Sequence, residues 1–189
     1  MAKLKNNVVT KRTRNKVDDI HIFNQRIEKT IQRKVQSSSV LIKTDKQLKV
    51  RTKFKKGVEY AKSVISNPSI KAAYEAVLAD GQTAYNLALS DYFVAPEIQM
   101  LDTSKYHGKV GDIIRVRAID NFRVNEVKLI IKKRNEIIIE SGDAVRDSLN
   151  ILLWKYTVTK VNTKVSGTKI IATAIDLPGN LTAKEEIME

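Results

Sequence analysis

From about Pro96 to about Leu181 the chain repeats a signal that its earlier part does not sustain. Short runs alternate apolar with polar residues, and each is closed by Gly, Asp, Asn or Pro. In Ile113–Ile119 the residues Ile114, Val116 and Ala118 share one side, Val127–Lys133 groups Val127, Leu129 and Ile131, and Ile137–Glu140 is a short β-branched run. Trp154, Tyr156 and Val158 share a face further on, as do Ile170, Ala172 and Ala174. A strand turns successive side chains to opposite faces, so period two with β-branched and aromatic enrichment predicts an antiparallel sandwich or barrel and not a set of helices. The single Trp in such a strand is expected in the core beside Tyr156 and Val158, and not as an exposed platform for sugars or peptides.

Ahead of Pro96 the period lengthens. From Thr44 or Asp45, either of which can cap a helix, Leu48, Arg51, Phe54, Val58, Ala61 and Ile65 recur at steps of three and four, with Val50 and Val64 widening the stripe. Asn67-Pro68 ends that helix, and Pro68 suits the first turn of a second one carrying Ile70, Ala73, Tyr74, Val77 and Leu78, stopped by Asp80-Gly81. A third carries Tyr85, Ala88, Leu89, Tyr92 and Phe93 up to Ala95-Pro96. Further forward, Ile20 and Ile22 alternate, then Ile27, Ile31 and Val35 return on one side, which predicts a hairpin turning near Asn24-Gln25-Arg26. Its mixed face predicts that it packs on something else. Residues 1–16 have almost nothing to bury and predict an arm that a partner must order. Gln36-Ser37-Ser38-Ser39 reads as a connector.

Charge follows the same division. The formal net charge is +13, and residues 1–60 hold 17 Lys and Arg against 5 Asp and Glu, whereas residues 61–189 hold 17 against 16. Such one-sidedness raises the potential over one end of a molecule and favours an anionic partner. The residues expected to meet that partner are Lys3, Lys5, Lys11, Arg12, Arg14, Lys16, Arg26, Lys29, Arg33 and Lys34. A protein with an acidic surface is favoured over nucleic acid, because charge alone carries little specificity and Phe23, Phe54 and Tyr60 are the only aromatics up to residue 60. If nucleic acid is bound, the expected mode is backbone contact without base reading.

Cysteine is absent, which removes disulfides, thiolate nucleophiles and Cys-ligated zinc and fits a reducing compartment. The basic opening Met1-Ala2-Lys3-Leu4-Lys5 is not followed by the apolar run of a signal peptide, and no apolar stretch reaches the ~20 residues of a membrane span. The expectation is a cytoplasmic protein, with a virion-like or non-classically exported assembly as the other setting.

The segment Ile170-Ile171-Ala172-Thr173-Ala174-Ile175-Asp176-Leu177-Pro178-Gly179-Asn180 resembles the closing strand and corner of bacterial immunoglobulin-like domains, in which alternating apolar residues lead into Ala-x-Asp-x-x-Gly-Asn. Gly111–Ala118 is similar to their second strand, and Asp120-Asn121-Phe122-Arg123-Val124-Asn125-Glu126-Val127 to the turn into their third. The resemblance covers Pro96 to Leu181. It implies an immunoglobulin-like β-sandwich, and no single function, since such domains serve as spacers, adhesive modules and binders of carbohydrate or protein. The front part, with Arg51-Thr52-Lys53-Phe54 and Asn67–Tyr74, resembles uncharacterised bacterial proteins.

Catalytic chemistry finds little footing. The two histidines, His21 and His107, have no sequence-local carboxylate, Ser or second His set around them as a triad or metal site, and the scattered glycines form neither G-x-G-x-x-G nor a Walker loop. Asp102, Asp112, Asp120 and Asp176, with Asn180, fall at predicted strand ends, where oxygens from one end of a sandwich can gather round Ca²⁺. The favoured reading of these residues is the plainer one, that Asp and Asn form turns through bonds to their own backbone. The sequence therefore predicts an α+β chain: a basic arm and β-hairpin over 1–43, a three-helix unit over 44–95 and an immunoglobulin-like antiparallel β-sandwich over 96–189. The expected function is a non-enzymatic structural or interaction protein with no cofactor and no metal. It joins a protein partner or its own copies in a larger assembly through the basic region, and nucleic-acid association through residues 1–60 is the alternative.

Overall fold

The computed structural model describes residues 44–189 throughout and, before them, the backbone of four strands: Ala2–Leu4 (β1), Asn15–Val17 (β2), His21–Arg26 (β3) and Lys29–Lys34 (β4). By its contacts the chain divides into two compact units, Met1–Asp45 and Lys46–Glu189. In the first, the strands pair antiparallel in the order β1-β4-β3-β2, with Arg26 opposite Lys29. Asn24, Gln25 and Arg26, where the sequence placed a turn, are strand residues of β3. Of the ten cationic residues proposed for an anionic partner, Lys3, Lys16, Arg26, Lys29, Arg33 and Lys34 lie on these strands, while Lys5, Lys11, Arg12 and Arg14 lie outside the described residues, as does the connector 36–39.

The second unit opens with three helices, α1 (Asp45–Ser66), α2 (Pro68–Glu75) and α3 (Ala84–Phe93). Their ends follow ordinary capping chemistry. The Asn67 carboxamide oxygen accepts from the backbone N–H of Ser69 and Ile70 at 3.2 and 3.3 Å, with Pro68 in the first turn where no donor is needed. The Thr83 hydroxyl accepts from Asn86 N–H at 3.2 Å to start α3. Only Gly57, Ala61 and Val64 of α1 are buried. Gly57 is glycine for a packing reason: a Cβ there would stand 2.9 Å from Phe93 Cζ and 3.0 Å from Tyr92 Cδ1. The stripe expected from Leu48 to Ile65 is therefore half right. Leu48 and Phe54 are 47% and 53% exposed, even though the Phe54 ring stacks on that of Phe93 with centroids 6.1 Å apart.

Eight strands follow: β5 (Glu97–Asp102), β6 (Ile113–Ile119), β7 (Val124–Lys132), β8 (Ile138–Asp143), β9 (Val145–Arg146), β10 (Leu153–Thr157), β11 (Lys169–Asp176) and β12 (Leu181–Ile187). They make two four-stranded antiparallel sheets, β5-β6-β10-β9 and β12-β11-β7-β8. Alternation produces the core directly. Ile114, Val116 and Ala118 from one sheet and Val127, Leu129, Ile131, Ile170, Ala172 and Ala174 from the other join one buried cluster with Trp154, Tyr156 and Val158. The chain is thus of the α+β class, with two sheets on one core, the arrangement of a β-sandwich.

The helices have a smaller core of their own, Ala61, Val64, Tyr74, Ala84, Leu87 and Ala88, against which Phe122 and Leu177 of the sheet turns are packed. Tyr74 and Phe122 stack with ring centroids 3.8 Å apart and planes 14° from parallel. This stack sets the helices on the end of the sheets where the β6–β7 and β11–β12 turns lie.

Candidate functional site

Three carboxylates meet at that end, each delivered by a different element. Asp91 comes from the last turn of α3, Asp120 follows the final residue of β6, and Asp176 is the last residue of β11. One oxygen from each lies within 4.8 Å of the others. Asp91 is fully buried, Asp176 is 2% exposed and Asp120 is half-buried.

Local backbone chemistry explains two of the three. Asp120 Oδ2 accepts from Phe122 and Arg123 N–H at 3.4 and 3.2 Å, which closes the turn into β7. Asp176 Oδ1 accepts from Gly179 and Asn180 N–H at 2.8 and 2.6 Å, with Gly179 at a φ of +94° that favours glycine. Asn180 then ties this turn to α3. Its Nδ2 lies 2.7 Å from Asp176 Oδ2 and 3.2, 3.3 and 3.3 Å from the carbonyl oxygens of Asp91, Tyr92 and Val94, so a side chain from the sheets caps the helix C-terminus. Asn121 Nδ2, bonded to Ser90 Oγ at 3.3 Å, adds a second tie.

Asp91 is held by tyrosines. The Tyr74 hydroxyl donates to Asp91 Oδ2 at 2.5 Å, and the Tyr60 hydroxyl lies 2.9 Å from that of Tyr74. Burial pushes the Asp91 carboxyl up to about 7; the Tyr74 hydrogen bond opposes the rise, and Asp120 and Asp176 reinforce it. Burial also raises Asp176, against the bonds it accepts from Asn180 and Gly179. Tyr74 is pushed above its ordinary range by burial and then by Asp91, and burial raises Tyr60. Asp91 Oδ1 and Asp120 Oδ1 are buried and have no hydrogen-bond partner among the described residues. None of the ion pairs among those residues includes the three carboxylates.

The five oxygen-bearing residues grouped from sequence do not share one end. Asp120, Asp176 and Asn180 come together, but Asp112 and Asp120 flank the seven residues of β6, a separation on the order of 25 Å. At the far end Asp102 Oδ1 accepts from Ser104 N–H and Oγ at 3.1 and 2.6 Å, bonds that hold its carboxyl low. Asp112 Oδ2 accepts from His107 and Lys109 N–H at 2.6 and 2.8 Å. Burial works to raise Asp112, and these two bonds outweigh it and keep it low. Both are turn formers. His107 is solvent-exposed, with Nδ1 4.0 Å from Asp112 Oδ1, and His21 is a strand residue of β3.

Asp91 escaped the sequence reading, although it left a trace. Ala84, Leu87, Ala88 and Asp91 recur at three- and four-residue steps, so an acid occupies a position of the apolar stripe of α3. Trp154 is in the core at 5% exposure, with Arg146 laid over its ring at 4.6 Å. An open groove of about 750 Å³ runs past Ser141, Arg146, Asp147, Lys155, Tyr156 and Thr159. The Thr159 N–H and Oγ1 donate to Oε2 of the buried Glu140 at 2.9 and 2.6 Å. No helix among the described residues is long and apolar enough to cross a membrane. No family model matches the chain, and neither a curated protein nor a solved structure similar to it was found.

Proposed function

We propose that the chain is a non-enzymatic structural or interaction protein, an immunoglobulin-like module with docked helices whose basic front fastens it to a larger assembly. The order of the sheets supports the immunoglobulin-like reading. The module's first, second, sixth and fifth strands form one sheet and its eighth, seventh, third and fourth the other, which is the ABED and GFC order with one strand added beside C. Trp154 departs from that pattern, since it sits on the sixth strand and not on the third.

The observation that carries the attachment is the first half of α1. Residues 45–56 are exposed on every side of the helix. Lys46, Lys49, Lys53 and Lys56 recur at steps of three and four and so line one face, where like charges repel. Lys53 rests over the Phe93 ring at 5.6 Å, and Lys55, on another face, pairs with Glu59 at 4.0 Å. An anionic surface would relieve that repulsion. Leu48, Val50 and Phe54 are exposed along the same turns, and they gain from an apolar patch on a partner but nothing from a phosphate backbone. This mixture favours an acidic protein surface, on another protein or on a second copy, over nucleic acid.

The test is capture of partners from native lysate, with and without nuclease, by the full chain and by a variant carrying Lys46→Glu, Lys49→Glu, Lys53→Glu and Lys56→Glu. Nuclease-resistant capture of an acidic protein, lost in the variant, is expected. Capture abolished by nuclease, with heparin retention that falls steeply with salt and is lost on deleting residues 1–35, would establish the nucleic-acid reading instead. Identical behaviour of the full chain, the fourfold variant and the chain lacking residues 1–35 would remove both.

A further inference from the structure

We propose that Asp91, Asp120 and Asp176 hold a hard divalent cation of the size of Ca²⁺, which locks α3 onto the turn end of the two sheets. The donor set is all oxygen, with no imidazole or sulfur near it, which selects a hard cation over zinc or copper. Calcium takes oxygens at about 2.3–2.6 Å, and three oxygens within 4.8 Å of one another fit inside its ligand sphere; its tolerance of irregular geometry suits carboxylates delivered by three separate elements, whereas magnesium demands a near-ideal octahedron.

A cluster of acids alone would say little, since exposed carboxylates gather without any ion. Here a separate observation points inward. Asp91 is fully buried, yet its Oδ1 accepts no hydrogen bond, and Asp120 Oδ1 is likewise buried and without a donor. The other oxygen of each is already committed, to Tyr74 and to the Phe122 and Arg123 amides. A buried charged acceptor left unpaired is costly, so these two atoms call for a cation, a water or a proton between them. The field agrees with a cation. Asp91 sits in the last turn of α3, at the negative pole of the helix, and no ion pair among the described residues neutralises the three acids. The rival occupant is one proton shared between Asp91 Oδ1 and Asp120 Oδ1, which would satisfy both atoms without a metal.

The two separate in solution. The full chain, freed of metal with a chelator, is titrated with CaCl₂ by calorimetry and in thermal melts, with MgCl₂ as the size control. Tb³⁺ serves as a luminescent stand-in for Ca²⁺, excited through Tyr74 and Tyr60 beside the site. One Ca²⁺ per chain, a melting temperature raised by Ca²⁺ more than by Mg²⁺, and tyrosine-sensitised Tb³⁺ emission displaced by Ca²⁺ are expected. Asp120→Asn, at the half-buried position, and Asp91→Asn, which keeps the Tyr74 contact, should each weaken Ca²⁺ on the order of a hundredfold, because affinity in oxygen sites follows ligand charge. Circular dichroism of each variant establishes that it is folded. Absence of Ca²⁺ binding, or binding unchanged in folded Asp120→Asn, would overturn the proposal, and the former would leave the shared proton as the occupant.

Discussion

The chain concentrates like charge in two places and treats them in opposite ways. On the first half of α1, six Lys and Arg stand exposed between residues 45 and 56. At the α3 end of the sheets, Asp91 and Asp176 are closed away from it. Water screens the first group, so its repulsion is mild and a large, salt-sensitive partner can approach it. Burial removes that screening from the second group, so its repulsion is relieved only by something small enough to enter, a proton or an ion. The same physical problem thus leads to a docking surface in one region and to an internal joint in the other.

The largest expected effect tests the joint as a packing unit. Tyr74→Ala deletes the stack on Phe122 and the donor to Asp91 together, and is expected to cost about 3–5 kcal/mol in denaturant unfolding. A loss no greater than that of Lys49→Ala would mean that the two regions do not differ in the way described.

Next comes the dependence of the joint on pH in the presence of chelator. The Asp91 carboxyl is raised from 3.8 to about 7 in the folded chain, so the folded state holds that proton more tightly than the unfolded one. The stability this contributes is fully present below about pH 4 and is lost as the pH rises through 7. Relative to Asp91→Asn, the wild-type chain should lose on the order of 2 kcal/mol between pH 5 and pH 8, with Tyr74, Asp120 and Asp176 the groups facing the titrating carboxyl. Parallel stability curves for the two chains would break the comparison on its acidic side.

A smaller effect is expected from Asn67→Ala, which removes the cap of α2 and should cost about 1 kcal/mol by the same unfolding measurement. Smallest per substitution is the fourfold Lys→Glu change on α1, expected within about 0.5 kcal/mol per site because each position is exposed. Its effect should fall on binding, and a stability loss comparable to that of Tyr74→Ala would show that this face is packed and not presented.

How much of this was legible in the sequence varies with the range of the interaction. Alternation in Ile113–Ile119 gave β6 residue for residue, and the pattern Trp154, Tyr156, Val158 gave three core positions, because a strand's facing is set by parity alone. Asn67-Pro68 gave the break between α1 and α2, because capping is a matter of neighbouring residues. The stripe on α1 misled at Leu48 and Phe54, since periodicity shows which side of a helix could pack and not how completely that side is covered. The acidic site was half visible. Asp120 and Asp176 stood out as turn formers, but Asp91 is separated from them by 29 and 85 residues, and the split of Asp102 and Asp112 to the far end depended on the direction in which β6 runs.

The amino-acid order alone determined the α+β class, the core-facing positions of β6, β7, β10 and β11, the break between α1 and α2 and the basic front, because each rests on periodicity, capping or charge read over a few neighbouring residues; it ran α2 on past Glu75 to Leu78 and did not single out β5, β9 or β12. Only the tertiary structure decided that Asp91, Asp120 and Asp176 meet and that the first turns of α1 stand exposed. Both are facts about which distant surfaces cover one another, and burial, which turns a carboxylate from a solvated turn former into one that must find a proton or a cation, exists only once those surfaces have closed.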